Sequence, residues 1–197
     1  VIGMISAGST GAVLAGGLFV IGRMEGVKRP ALAPFLPTVN GGKTLLIDCG
    51  ANVDCKAINL LHFALMGSVY MKSMGVENPR VALLSNGAED EKGNMLNHET
   101  FPLLKELKGV NFVGNVEARD VPAGACDVLV TDGFTGNIVL KLYEGMGSFF
   151  AKKMKWIFSG AGVLGALFSM GKIKSFKKQM DYRETGGSVL MGAKKPV

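Results

Sequence analysis

The chain has 197 residues, enough for one ordinary domain, and 48% of them are apolar, a composition that excludes a disordered or low-complexity protein. Its net charge of +6 is local, because residues 145–180 contain seven lysines and no acidic residue, and subtracting seven leaves −1 for the rest. This distribution argues against a general nucleic-acid binder and indicates a single basic surface.

The cysteines and the apolar segments indicate the cellular compartment in which the protein is expected. Cys49, Cys55 and Cys126 show neither C-x-x-C spacing nor a nearby histidine pair, so the sequence predicts no disulfide framework and no zinc site. The first twenty residues have no basic region of the kind that opens a secretory signal, and no apolar stretch is long enough to cross a bilayer. We therefore expect a cytoplasmic protein with buried, reduced thiols.

Two stretches share the pattern Gly-x-Thr-Gly followed by a small or polar residue and two aliphatic residues, at 8–14 and 133–139. An apolar segment, 1–5, precedes the first and predicts a buried strand, and a helix is predicted over 10–24. A fold that begins inside a strand lacks its usual first elements. We therefore expect the numbering to start within a larger fold.

The next elements carry polar residues at a strand end. Prolines keep residues 29–38 extended or turned, residues 44–48 then predict a strand, and residues 57–74 predict an apolar helix. The C-terminal edge of the strand is where open parallel sheets bind ligands. The polar residues that follow it include Asn52, Asp54 and Lys56.

A loop dense in charge and glycine, residues 86–94, follows the strand predicted at 80–85 and precedes a helix predicted over 97–107. Such a loop is usually only solvated, and this alternative stays open. Its place at a strand's C-terminal end favours another interpretation, in which Lys92 meets a developing negative charge and Asn94 contacts the substrate.

The second glycine-rich turn follows a strand at 110–114, a polar connection and a strand at 128–130. Its glycines, Gly133 and Gly136, allow positive φ and close approach of a ligand, and Thr135 can cap the next helix. The N-terminus of such a helix binds anions. Each turn alone could be only a glycine-rich connection. Together, the two turns indicate one cleft for a phosphate or a carboxylate.

The order of the elements predicts the fold class. Strands and helices alternate over residues 1–158, which indicates βαβ units and a three-layer α/β/α fold with a mainly parallel sheet covered on both faces. We predict an α/β core at residues 1–143, a protruding helical hairpin at 144–181 and a return to the core at 182–197. No strand order follows from the sequence.

The predicted hairpin combines an apolar tip with lysines on both sides. Two interpretations stay open: insertion of the tip at an anionic membrane surface, and burial of the hairpin in a homodimer interface. The residues predicted to make membrane or partner contacts are Lys155, Trp156, Phe158, Leu164, Leu167, Phe168, Lys172 and Lys174.

Seven short motifs follow one another along the chain: residues 6–12 (SAGSTGA), 29–31 (RPA), 36–38 (LPT), 48–54 (DCGANVD), 89–94 (EDEKGN), 114–120 (GNVEARD) and 132–137 (DGFTGN). In this order they resemble the phosphate acyltransferase family of bacterial phospholipid synthesis, and the likeness covers nearly the whole chain.

The resemblance implies transfer of a fatty acyl group from acyl carrier protein to inorganic phosphate, which gives acyl phosphate. It implies a fold similar to phosphate acetyltransferases and the isopropylmalate dehydrogenase group, a homodimer, no organic cofactor, and peripheral attachment to the inner face of the cell membrane. The donor protein is expected to be acidic, so the lysine-rich segment could guide it as well as lipid.

The chain departs from the family pattern at several points. Ser9 stands where members commonly carry Asn, and residues 85–87 (SNG) stand where they carry Asn-Ile-Gly. The family's opening Asp-Ala-Met-Gly-Gly-Asp and closing His-Gly motifs are missing, so we expect an incomplete enzyme. The alternatives are a membrane-associated scaffold without activity on the same fold and a nucleotide-dependent α/β enzyme, although neither G-x-G-x-x-G nor a Walker A lysine is found.

Acyl transfer to phosphate needs no protein nucleophile, because a phosphate oxygen attacks the thioester carbonyl, so the protein holds phosphate and stabilises the oxyanion. We assign catalytic roles to Lys92, which neutralises charge, to Asn137, and to Asp132, which orients a lysine or only caps a turn. The candidate phosphate or substrate contacts are Ser9, Thr10, Gly11, Asn52, Asp54, Lys56, Asn94, Gly133, Thr135 and Gly136.

Overall fold

A computed structural model describes residues 2–157, 171, 174–175 and 187–197. The chain forms two compact units, Val1–Ile138 with Ser188–Val197, and Val139–Gly187. The boundaries predicted from the sequence were 143/144 and 181/182. Most of the predicted hairpin lies outside the described residues, so its form stays a prediction.

The described elements alternate between strands and helices. In chain order they are α1 (Thr10–Ala15), a π-helical segment (Gly16–Ile21), β1 (Ala31–Ala33), β2 (Phe35–Pro37), β3 (Lys43–Ile47), α2 (Ala57–Ser73), β4 (Arg80–Ser85), α3 (Met95–Lys105), β5 (Asn111–Glu117), a 3₁₀-helix (Ala118–Ala123), β6 (Val128–Val130), α4 (Gly133–Ile157) and β7 (Val189–Met191).

Five strands form the central sheet in the order β2-β3-β6-β4-β5. β3, β6, β4 and β5 run parallel, and β2 is an antiparallel edge strand. β1 and β7 pair separately, also antiparallel. The predicted α/β class with a mainly parallel sheet is therefore confirmed. Because the parallel strands end at one edge, residues far apart in the sequence meet there.

The core lies where α2 packs on the sheet. β6 is buried along its whole length, as are Leu45, Leu46 and Ile47 of β3, which is why these strands read as continuous apolar runs. Phe63 of α2 is completely buried, a burial that stabilises the fold by about 1.5–3 kcal/mol. Gly67 lets the helix approach the sheet closely, because a β-carbon at this position would lie only 2.5 Å from Val128 Cγ1.

The opening segment differs from the prediction. Residues 2–8 form no strand, and Ile2 and Ile5 are 96% and 102% exposed. The segment has the apolar composition of a strand, but the backbone hydrogen bond of Met4 N–H runs to the carbonyl of Pro196 rather than into the central sheet. The predicted helix over 10–24 ends at Ile21, and its second half is π-helical.

Candidate active site

The candidate site lies where β3 and β6 end side by side. Ile47 is in register with Val130, and the chains continue through hydrogen bonds from Asp48 N–H to the Thr131 carbonyl, 3.1 Å, and from Thr131 N–H to the Ile47 carbonyl, 2.9 Å. The segments that follow, 48–56 and 131–137, are thereby brought together. Both were singled out from the sequence.

The carboxylate of Asp48 organises the first of these segments. It is completely buried, and Oδ1 accepts N–H groups from Leu32, Cys49 and Ala51 at 2.8, 2.7 and 3.3 Å. Oδ2 accepts the backbone N–H of Asn52 at 2.7 Å and its side-chain Nδ2 at 3.0 Å. Burial raises the pKa of Asp48, and these donors oppose that rise.

Asn52, predicted as a substrate contact, is buried and engaged within the protein. Its amide donates to the Pro30 carbonyl at 2.8 Å and to Asp48 Oδ2, so both amide hydrogens are used. Its backbone carbonyl accepts the N–H of Gly133 at 2.8 Å. The structure thus gives Asn52 the role of joining the two segments, and its amide has no N–H left for a ligand.

The cap of α4 is Asp132 rather than Thr135, and capping was one of the two roles predicted for Asp132. Asp132 caps the helix, because its Oδ1 accepts the backbone N–H of Thr135 and its Oδ2 accepts the Thr135 hydroxyl, both at 2.8 Å. The N–H of Gly136 donates to the Asp132 carbonyl at 3.0 Å. With Gly133 N–H bonded to Asn52, three N–H groups of the first turn have protein partners. The anion-binding role of Thr135 and Gly136 stays a prediction, with fewer free donors than the motif suggests.

The two glycines of this turn are required by packing. Both lie inside α4, and neither has positive φ, so the expectation of positive φ was wrong. A β-carbon added at Gly133 would lie 2.5 Å from the Asn52 carbonyl oxygen and 2.7 Å from Asp48 Oδ2. One added at Gly136 would overlap the Asp48 carbonyl oxygen. The helix start therefore rests directly on the turn that Asp48 organises.

Several polar side chains remain exposed around these two packed segments. Asn137 is exposed, and its Oδ1 lies 3.6 Å from where a β-carbon on Gly50 would be. Lys56 and Asp54 are also exposed, and the Asp54 carbonyl accepts Arg29 Nη1 at 3.2 Å. Arg29, a cation of this edge, was not predicted from the sequence, although it lies in one of the matched motifs.

The pKa of the Cys55 thiol depends on burial and on the charges around the site. Burial, the main cause, raises its pKa to about 11, and the carboxylates of Asp48 and Asp132 add to the rise. A hydrogen bond from the Gly133 backbone and the charge of Arg29 oppose it. Cys55 is thus protonated at neutral pH and unsuited to act as a nucleophile.

Lys92 and Asn94 belong to the loop after β4, and internal contacts hold this loop. The Glu89 carbonyl accepts Lys92 N–H at 3.1 Å and the side-chain amide of Asn115 at 2.7 Å. A β-carbon added at Gly87 would lie 2.6 Å from Lys92 Cγ, so the lysine stem packs on this glycine. Lys92 is exposed, whereas Asn94 caps α3 through Asn97 N–H at 3.0 Å.

The first glycine-rich turn is open. Ser9, Thr10 and Gly11 are exposed, and Ser9 Oγ caps α1 by accepting Ala12 N–H at 3.4 Å. A β-carbon added at Gly11 would meet no atom within 4 Å. The convergence of this turn with the second one stays a prediction.

Part of the predicted membrane or partner surface is described. Lys155, Trp156 and Lys174 are exposed, and the ammonium group of Lys153 lies 5.5 Å from the centre of the Trp156 ring. No helix within the described part of the chain is both long and apolar enough to cross a membrane. The remaining residues of this prediction lie outside the described ones: Phe158, Leu164, Leu167, Phe168 and Lys172.

The fold is similar to that of phosphotransacetylases. The enzyme from Streptococcus pyogenes matches with a TM-score of 0.54 and 20% identity, covering 72% of this chain and 49% of that one. EutD phosphotransacetylase from Staphylococcus aureus matches with a TM-score of 0.52 and 20% identity, covering 66% and 46%. At this identity the likeness concerns the fold alone.

The chain belongs to the fatty acid synthesis protein family, whose model matches residues 1–197. Phosphate acyltransferases from Bacillus cereus (strain B4264) and Bacillus subtilis (strain 168) are 52% and 50% identical to it over 196 residues, or 98% of this chain. The chain spans 59% of the length of these relatives. The resemblance inferred from the seven motifs is thereby confirmed.

Proposed function

We propose that the whole protein is a phosphate acyltransferase that moves a fatty acyl group from acyl carrier protein to inorganic phosphate, giving acyl phosphate for phospholipid synthesis. The observation that carries this proposal is the identity of 50–52% to phosphate acyltransferases across 98% of the chain. The geometry is compatible with this function, because exposed polar groups surround two hydrogen-bonded segments at the C-terminal edge of a parallel sheet.

The reaction is a direct acyl transfer. A phosphate oxygen forms a bond to the thioester carbonyl carbon, the resulting tetrahedral oxyanion collapses, and the carbon–sulfur bond breaks. The carrier leaves as a thiolate and takes up a proton. The protein must therefore hold two anionic reactants together and stabilise the oxyanion with donors already in place.

Lys92 and Asn137 are the proposed donors. Both side chains are exposed, and both stand on backbone fixed by internal hydrogen bonds, Lys92 through Glu89 and Asn137 through the start of α4. Because the backbone that carries both side chains is held, they need less rearrangement during the reaction than water does, and so stabilise charge more effectively. In this proposal Asp132 orients the start of α4, and its carboxylate acts through Thr135.

The lysine-rich segment is proposed to meet anionic partners. Residues 145–180 hold seven lysines and no acid, which suits both an acidic carrier protein and an anionic membrane. α4 also exposes an apolar stripe at helical spacing: Phe134, Ile138, Leu142, Met146 and Phe149. We propose that this segment supports a homodimer attached peripherally to the inner face of the cell membrane, in a cytoplasmic protein.

The test is identification of the product. The whole protein is mixed with an acyl-loaded carrier protein and increasing inorganic phosphate, and acyl phosphate is identified directly by mass spectrometry. The proposal expects product that depends on both substrates. Acyl release that is independent of phosphate would overturn it, as would no release at all. In the second case a spectroscopic titration with NAD or ATP would examine the nucleotide-dependent alternative.

A further inference from the structure

We infer that Asp48 is a positioning residue for the proposed reaction: its buried carboxylate shapes the turn at residues 49–52 and thereby sets the place of Asn137. This inference rests on the proposed function. Asp48 itself is too deeply buried to touch a substrate, so its effect must pass through other residues.

The first step is the set of donors around the carboxylate. Four backbone N–H groups and one side-chain amide point at its two oxygens, at 2.7–3.3 Å. Three of the four backbone donors come from the turn itself, at Cys49, Ala51 and Asn52. The chain therefore wraps around one carboxylate, and the shape of the turn depends on it.

The second step is the contact from the turn to α4. Gly50, at φ 98°, lies against the amide of Asn137, and the Asn52 carbonyl holds the first N–H of the helix. Gly133 and Gly136 have no room for a β-carbon above Asp48 and Asn52. A movement of the turn would therefore be transmitted to the start of α4, and with it to Asn137.

The third step is the need for a group that only accepts hydrogen bonds. Of the ion pairs formed by the described residues, none involves Asp48, so N–H donors alone surround its charge. An amide at this position would turn its NH₂ group toward the backbone and side-chain N–H groups of Asn52. Asp48→Asn would thus remove hydrogen bonds that hold the turn, with almost no change in side-chain volume.

The expected effect of Asp48→Asn is a lower kcat/KM for the same reaction. A displacement of about 1 Å at a catalytic group can lower the rate by roughly 100-fold, so we expect Asp48→Asn to reduce kcat/KM by about that factor. The matched control is Glu77→Gln, the same exchange of carboxylate for amide at an exposed position before β4. This control should keep the wild-type rate.

A double-mutant cycle distinguishes positioning from a general loss of stability. Asp48→Asn, Asn137→Ala and the double variant are made in the whole protein, and kcat/KM is measured per folded molecule, with folding checked by circular dichroism. If Asp48 acts through Asn137, the double variant should be no more than about threefold slower than Asn137→Ala alone. Multiplication of the two separate losses would overturn the inference.

Two further measurements keep the inference testable in other circumstances. If Asp48→Asn does not fold, Gly50→Ala replaces it, since a β-carbon there strains a left-handed residue that faces Asn137, and the same non-additivity is required. If the wild-type protein makes no acyl phosphate, the proposed function fails, but the positioning is still read from the side-chain amide resonance of Asn137. Asp48→Asn should shift that resonance and Glu77→Gln should not; an unshifted resonance in Asp48→Asn would contradict the inference.

Discussion

The two Gly-x-Thr-Gly turns have the same residues at the defining positions and different surroundings. In the first turn the helix begins at Thr10, the third position of the pattern, and the glycine of the fourth position faces open space. In the second turn the helix begins at Gly133, the first position, and both glycines pack directly against the turn around Asp48. The pattern thus marks a helix start in both cases, but it specifies neither the capping residue nor the reason for the glycines.

The largest difference is expected from adding one methyl group to each turn. Gly136→Ala should lower the free energy of unfolding by about 3 kcal/mol or more, because its β-carbon meets backbone that cannot move aside. Gly11→Ala should change it by less than about 1 kcal/mol and can even stabilise α1, since nothing lies near its β-carbon. Urea unfolding of both variants checks this, and equal losses would break the comparison.

The next effect concerns an exposed lysine in the loop after β4. Lys92→Ala should lower the rate of acyl phosphate formation by about 100-fold, or roughly 3 kcal/mol in activation free energy, with the fold intact. The control is Lys108→Ala, another exposed lysine, which should keep the wild-type rate. Measured turnover of Lys92→Ala close to that of wild type would remove Lys92 from the proposed mechanism.

Removal of the two caps should give a smaller contrast. Asp132→Ala loses two hydrogen bonds of 2.8 Å in a partly buried place, which corresponds to about 1–2 kcal/mol of unfolding free energy. Ser9→Ala loses one exposed hydrogen bond of 3.4 Å, and about 0.5 kcal/mol or less is expected. Thermal or urea unfolding measures both, and a larger loss for Ser9→Ala would reverse the comparison.

The smallest effect is electrostatic and lies at the opposite edge of the sheet. Partial burial alone would raise the pKa of Asp127, but hydrogen bonds from the side chain and backbone of Arg80, together with its charge, lower it. A lowered pKa contributes stability above the ordinary pKa of an aspartate, and this contribution is lost as pH falls through the folded-state value. Asp127→Asn should thus cost about 1 kcal/mol at pH 7, after allowance for solvent screening.

The pH dependence supplies the control for this last effect. The difference between Asp127→Asn and wild type should shrink as the pH falls below about 4. Asp90→Asn, which breaks a more exposed pair with Lys105, should show little difference at any pH. If the Asp127 difference remained constant in acid, its origin would be packing rather than charge.

Much of the fold could be predicted because it depends on local pattern. The apolar runs that became β4 and β6 and the helix α2 were placed to within a residue, since short continuous apolar runs are typical of buried parallel strands and a long one is typical of a buried helix. The strand predicted at 1–5 was wrong, because an apolar composition indicates a strand only where another strand can pair with it. The strand order depends on contacts between distant residues and could not be inferred.

The site was predictable only as a region. The C-terminal ends of β3 and β6 were identified from the sequence, and the structure does bring them together. The roles of Asp48 and Asn52 could not be read from residue type, because each side chain is directed by hydrogen bonds to backbone groups. For Asp132 the sequence left two roles open, and the structure shows the capping one. Arg29 was missed for a similar reason, since its place at this edge depends on the Asp54 carbonyl.

The most direct test compares initial rates of acyl phosphate formation by the whole wild-type protein and by Asn137→Ala, over a range of inorganic phosphate. We predict a wild-type rate that saturates with phosphate and a variant about 100-fold slower, with an unchanged unfolding midpoint. Equal rates for the two proteins would contradict a site at the start of α4, and a wild-type rate independent of phosphate would contradict acyl transfer to phosphate itself.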